Sequence, residues 1–129
     1  KLENPGFYLH LEPGKLFMGV GLHQFPKDIL ELYRETILDD RMGEKLESII
    51  SELTALPGVT VGTQHYKKVP RGYPSDHPRA DLLRYNGLHA AIEEPLPKEV
   101  YSPDFVEYCY QRYEKLAPLH YWLREMLGG

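Results

Sequence analysis

The chain is poor in cysteine, contains no long apolar run, and has fewer cationic than anionic side chains. A single cysteine, Cys109, stands among 129 residues. No internal disulfide can form, so a stapled secreted scaffold is excluded, and the usage fits a reducing compartment. Cys109 falls within an apolar helical pattern and reads as core filling. Apolar stretches extend over only a few residues, far short of a membrane span, and the opening KLENPGFY lacks the basic-then-apolar order of a signal peptide. A cytoplasmic location is the expectation, with no membrane partner. Fifteen Lys and Arg face nineteen Asp and Glu, for a formal charge of −4. The molecule as a whole therefore exerts no long-range pull on nucleic acid or anionic lipid, and any such binding must be local. No HxxxH, HExxH, CxxC or GxSxG spacing occurs, and the glycines of GVGLH do not lead into a helix with phosphate-loop spacing. The sequence thus gives no reason to assign a cofactor or a metal.

What is present describes a folding chain. Apolar residues make up 42%, charged residues 26%, and ten tyrosines dominate the aromatic share. This is a composition for a packed core, and the length suits a single one. The chain opens on Lys1 rather than Met and reaches a strand pattern by Phe7. Residues 1–129 are accordingly read as one domain, the C-terminal part of a larger single-domain protein.

Residues 7–12 and 16–23 alternate in side-chain direction about Pro13-Gly14-Lys15, which predicts a β-hairpin. On its second strand Leu16, Met18, Val20 and Leu22 share one face. Phe17, Gly19, Gly21 and His23 share the other, where bare glycines leave room for close approach, most simply by a helix and otherwise by a ligand. Ile29, Leu30, Tyr33 and Ile37 recur at helical spacing after Pro26; Met42, Leu46, Ile49, Ile50 and Leu53 repeat the pattern until Pro57-Gly58. Glu44, Lys45 and Glu47 fall off that stripe as a solvated face. Val59–Tyr66 and Tyr85–Ile92 read as further strands. Ser102-Pro103 opens a long C-terminal helix carrying Phe105, Val106, Cys109, Tyr113 and Leu116, which Pro118 should break or kink. The expectation is an α+β fold with an antiparallel or mixed sheet, an N-terminal hairpin, two central helices and a long C-terminal helix kinked at Pro118.

The segment 65–86, HYKKVPRGYPSDHPRADLLRYN, is chemically distinct. Lys67, Lys68, Arg71, Arg79 and Arg84 outweigh Asp76 and Asp81, giving +3 inside a chain of −4 and leaving −7 elsewhere. A carboxylate or phosphate would gain charge-assisted hydrogen bonds there. Pro70, Gly72, Pro74 and Pro78 shape the loop and cut the entropy lost on gripping a ligand. Ser75 or Asp76 could cap a short helix with His77 and Pro78 in its first turn, adding free N–H groups to an anion site. Asp81 lies four residues after His77 and three before Arg84, so all three could line one face, with the carboxylate orienting the imidazole for proton transfer. The alternatives are structural: Asp76 as a cap, Asp81 with Arg84 as an ion pair, His77 bonded to backbone. A metal would draw on His10, Glu12, His65, Asp76, His77 and Asp81, a set without a recognised ligand spacing. His10 and Glu12 share one strand face, which suits either a site or solvent.

At this segment the chain resembles a known family. KKVPRGYPSDHPRADLLRYNGL, with GFYLHLEPGKLFMGVGLH before it and SPDFVEYCYQRYEKLAPLHYWL after it, closely resembles the family called domain of unknown function 2461. The likeness spans nearly the whole chain. Tyr8, His10, Glu12, Pro13 and Gly14 match one of its motifs, and Pro70, Gly72, Pro74, Asp76, His77 and Pro78, then Asp81, Leu83, Arg84 and Tyr85, match another. The resemblance implies bacterial and fungal proteins somewhat longer than this chain, without an established activity. It also implies a helical N-terminal portion and a basic loop before the hairpin that this sequence lacks, so a site shared between the halves would be incomplete.

Two functional readings follow. In the first, a small anion or small molecule binds between the hairpin and the 67–84 loop; Lys68, Arg71 and Arg84 hold it with His10 and Glu12 nearby, and His77 with Asp81 transfers or orients a proton if the domain is an enzyme. In the second, the same loop belongs to a non-catalytic binding module and meets nucleic acid or an acidic protein. Oligomeric state is left open by the sequence.

Overall fold

The alternation of β2 decides how this molecule is layered. In the computed structural model, which describes residues 6–64 and 66–128, Leu16, Met18 and Val20 are completely buried. β2 (Lys15–Leu22) is paired antiparallel on one side with β1 (Gly6–Glu12) and on the other with β4 (Tyr85–Pro95). β3 (Val59–Gln64) pairs antiparallel with the far side of β4, so the sheet order is β1-β2-β4-β3. Pro13 and Gly14 make the hairpin turn, and Gly14 adopts the left-handed φ of +80° that such a tight corner requires.

Opposite Leu16, Met18 and Val20, the β4 residues Leu88, Ala90 and Ile92 and the β3 residue Val59 complete one apolar sheet face. α2 (Asp40–Thr54) and α3 (Phe105–Met126) pack on the sheet, and α1 (Lys27–Leu38) packs on those helices. Each helix contributes the predicted spacing to a single core: Ile29, Tyr33 and Ile37, then Met42, Leu46, Ile49 and Leu53, then Leu116, Leu119, Trp122, Leu123 and Met126. Burying that many large side chains stabilises by about 1.5–3 kcal/mol each before chain entropy is charged. Asp39 caps α2 by accepting from the Met42 N–H. The single Trp122 donates its indole N–H to the Met42 carbonyl, and Tyr33 donates its hydroxyl to the Leu82 carbonyl, so neither buried aromatic leaves its polar atom unpaired.

The fold is α+β with four antiparallel strands, an N-terminal hairpin and three helices. Several details differ from expectation. α3 continues through Pro118 rather than stopping there, because Leu116, Leu119, Trp122 and Leu123 bury on either side of the proline and hold both halves against the core. Ser102 does contribute to the helix start, accepting from the Asp104 N–H with its hydroxyl, but the first turns project beyond the core and leave Val106 exposed. Cys109, on that projecting part, is half-buried rather than core filling. β4 runs on to Pro95, beyond the expected end at Ile92. The glycine face of β2 is covered not by a helix but by the ring of Tyr8 from the neighbouring strand: a Cβ on Gly19 would lie 2.2 Å from it. No helix among the described residues is long and apolar enough to cross a membrane.

Candidate functional site

Two regions hold the residues singled out above, and sheet register keeps them apart. β4 begins at Tyr85, where the basic loop ends, and Glu93 stands level with Phe17 and His10. At about 3.3 Å per residue, those eight steps place His10 about 26 Å along the strand from the loop, and Glu12, level with Pro95, is two steps farther. His10 Nε2 and Glu12 Oε2 are 3.7 Å apart at the exposed hairpin end. The structure therefore sets these two at one end of the sheet and Lys68, Arg71, His77, Asp81 and Arg84 at the other.

The loop is built by anchoring rings and presenting cations between them. Val69 and Tyr73 pack on the core, and Tyr66 binds back through its N–H to the Arg84 carbonyl. Pro70 to Tyr73 form a tight turn closed by the Tyr73 N–H on the Pro70 carbonyl, with Gly72 at φ +91° in its third position. That turn fixes Arg71 at an exposed corner, and Lys67 and Lys68 are exposed on the approach to it.

The five loop cations have different fates. Arg79 is only 4% exposed and is tied inward: its Nε donates to the Ile37 carbonyl at 2.7 Å and its Nη2 to Asp40 at 2.9 Å. It satisfies carbonyl groups that the last turn of α1 leaves open, a structural task. Arg84 donates from Nε to the Tyr66 carbonyl and from Nη1 to Asp81 at 3.2 Å, so it braces the loop while its carboxylate partner stays in solvent. Lys67, Lys68 and Arg71 have no ion-pair partner among the described residues.

His77 does not stand on a helix with Asp81. It occupies a turn, its N–H on the Pro74 carbonyl, and the only regular piece that follows is a 3-10 helix, Ala80–Arg84. Five residues of 3-10 offer no N-terminal anion site, and Asp76 caps nothing there. His77 Nδ1 accepts from the Arg79 N–H at 3.0 Å, which places the ring proton of the neutral form on Nε2. Asp81 pairs with Arg84 instead. Among the described residues no three His, Cys, Asp or Glu side chains are grouped to hold a metal ion; His65 lies outside the described residues.

The structure also brings in Arg34, which the sequence gave no cause to select, and joins His10 and the glycine face of β2 to His89. Arg34 of α1 lies with its guanidinium carbon 5.6 Å from the Tyr66 ring centre and 5.7 Å from that of Tyr73. Its Nε is buried without a hydrogen-bond partner, and no carboxylate among the described residues pairs with it. On the helix-free face of the sheet, Tyr8, His10, Phe17, His23 and His89 surround a groove of about 430 Å³. The His23 and His89 rings are 4.6 Å apart. Burial first, then the neighbouring His23, pushes the His89 pKa below the ordinary histidine value. Arg34 was not legible, because it joins α1 to a loop over thirty positions later; of the groove the sequence showed His10 and the Phe17, Gly19, Gly21 and His23 face, but not their meeting with His89, because the group spans three strands.

Comparison with known proteins agrees with the motifs. No curated protein and no solved structure matches the chain. Residues 1–122 match a family described only as a conserved hypothetical protein, and the chain belongs to that family, DUF2461.

Proposed function

We propose that this domain binds a small anionic molecule at the basic loop, with Arg34 as the central contact and Lys68 and Arg71 closing over it. The observation that carries the reading is the state of Arg34. A guanidinium held beside two tyrosine rings gains about 0.5–2 kcal/mol from each face it meets. Yet its buried Nε makes no hydrogen bond, a deficit of about 1–3 kcal/mol. A carboxylate or phosphate oxygen would remove that deficit and take a bidentate grip on the fork. Two loop cations that have no ion-pair partner among the described residues flank residues packed on the core: Arg71 is two positions from Tyr73, and Lys68 adjoins Val69. Arg84 serves this arrangement by bracing Tyr66 rather than by touching the ligand. His77, with its outward Nε2–H, is available as a further donor, and a catalytic part for it with Asp81 would require the ligand to bring them together.

Thermal shift with inorganic phosphate and with citrate tests the reading. A ligand at twenty times its Kd stabilises by about 1.8 kcal/mol, which for a domain of this size raises Tm by about 5–9 °C. Arg34→Met, which keeps the apolar stem and removes the fork, should abolish the rise. If neither anion raises Tm at tens of millimolar, the reading is wrong. The binding-module alternative gives a different signature: single-stranded DNA would bind with an affinity falling steeply in added salt.

A further inference from the structure

We propose that the helix-free face of the sheet carries a second site, a groove that binds a flat, uncharged heteroaromatic molecule against bare backbone with one ring N–H directed at His89. The geometry of the floor comes first. Gly21 and Ala91 line it directly, with Gly19 and Gly62 beside them on the same face. Where most sheets interpose side chains, a ring can here lie on the peptide planes themselves.

The protein already uses this surface in that way at two places. The Tyr8 ring lies so close over Gly19 that a Cβ there would meet its Cζ at 2.2 Å, and the His89 imidazole lies over Gly62 with Cε1 3.0 Å from the corresponding point. Between these rings, with Phe17, His10 and His23 as further walls, the groove of about 430 Å³ has the size of small-molecule sites and exceeds a bicyclic ring. Phe17 and His10 are themselves in ring contact at 5.7 Å, so the walls are aromatic on both sides.

Two further observations fix the character of the occupant. Among the described residues none that lines the groove is a Lys, Arg, Asp or Glu, which favours an uncharged molecule. His89 Nδ1 is buried and has no hydrogen-bond partner among the described residues. Burial and His23 disfavour its protonation, so the ring is neutral near pH 7 and can present an acceptor nitrogen to a ligand N–H. The site is independent of Arg34 and does not rest on the anion reading.

The experiment uses the 129-residue chain with indole and adenine, both flat, neutral and carrying a ring N–H, and with quinoline, which is flat but has no N–H. Histidine side-chain nitrogen correlations in NMR are followed during each titration. Indole or adenine should shift the His89 and His23 nitrogens in a saturable way, and quinoline should bind at least fivefold more weakly. Ala91→Leu fills the floor on the solvent side and should abolish the shifts; His89→Gln, which leaves the floor open, should weaken indole or adenine to the level of quinoline. Arg34→Met should change nothing. The proposal is overturned if no ring compound perturbs these nitrogens, if binding survives Ala91→Leu in a protein that still melts cooperatively, or if the groove signals move with protein concentration instead, which would mean that a second copy covers the face.

Discussion

Gly43 offers the sharpest quantitative test of how the basic loop is fastened. It lies in the first turn of α2, where an alanine is ordinarily better than glycine by about 1 kcal/mol. On propensity alone Gly43→Ala would stabilise. The local geometry opposes this: a Cβ would lie 2.2 Å from Arg79 Nε, 2.8 Å from its Cδ and 2.4 Å from the Ile37 carbonyl oxygen. The guanidinium must leave, and with it the bonds to Ile37 at 2.7 Å and Asp40 at 2.9 Å. Charge-assisted hydrogen bonds are worth about 1.5–3 kcal/mol each. Losing two against a gain of about 1 kcal/mol leaves a net cost of about 2–5 kcal/mol. Chemical denaturation followed by circular dichroism measures that directly, and in a melt it corresponds to a fall of about 6–25 °C. Arg79→Ala in the Gly43→Ala background should recover part of the loss, since the clash with the side chain disappears while that with Ile37 remains. The His77 ring should also change environment in Gly43→Ala, because its Nδ1 accepts from the Arg79 N–H. A Gly43→Ala protein as stable as the parent, or more so, would refute the idea that Arg79 fastens the loop to the α1–α2 junction.

Other perturbations have definite signs. Gly21 sits at φ +121° with a would-be Cβ 2.3 Å from the Leu88 carbonyl, a backbone atom that cannot swing aside; Gly21→Ala should cost more than about 2 kcal/mol in urea denaturation. His89 and His120 are both held below the ordinary histidine pKa, mainly by burial, with His23 and Arg124 adding to it. The unfolded chain then binds more protons than the folded one just below pH 6.5, so stability rises with pH and is lost as pH falls from about 6.5. His120→Leu should flatten the dependence of Tm on pH between 7.5 and 5.5; an unchanged slope would count against it. Tyr108 donates to Glu94 beside Arg112, and burial followed by that carboxylate pushes its pKa up to about 12. Its contribution is complete below pH 10 and disappears as pH rises through about 12, so Tyr108→Phe should remove one late-titrating tyrosine from the absorbance titration at alkaline pH.

Most of the fold was readable because apolar periodicity is a local property. The stripe Ile29, Tyr33, Ile37 and the alternation Leu16, Met18, Val20 need only their own neighbours in sequence to announce a helix and a strand, and each buries as written. The errors arise where a distant partner decides. Pro118 was expected to break or kink α3; the helix runs on unbroken, because the apolar contacts of Leu119, Trp122 and Leu123 beyond the proline offset its lost hydrogen bond. The glycine face of β2 was assigned to a helix because the register that lays Tyr8 over Gly19 cannot be seen from β2 alone.

The loop shows the same division at the level of single charges. Counting cations found the island at 67–84, but the count treats Arg79 and Lys68 alike, and they differ in every respect that matters for binding. Arg79 is buried on α1 carbonyls, whereas Lys68 is exposed and has no ion-pair partner among the described residues. Arg34, the cation with the strongest claim on an anion, lies outside the island, because what selects it is an unsatisfied Nε beside two tyrosines. Net charge locates a potential, whereas a ligand is recognised by donors the fold has failed to satisfy. A search for binding residues in this family is therefore better led by buried, unpartnered polar atoms, among the described residues Arg34 Nε, His89 Nδ1 and His120 Nδ1, than by clusters of charge.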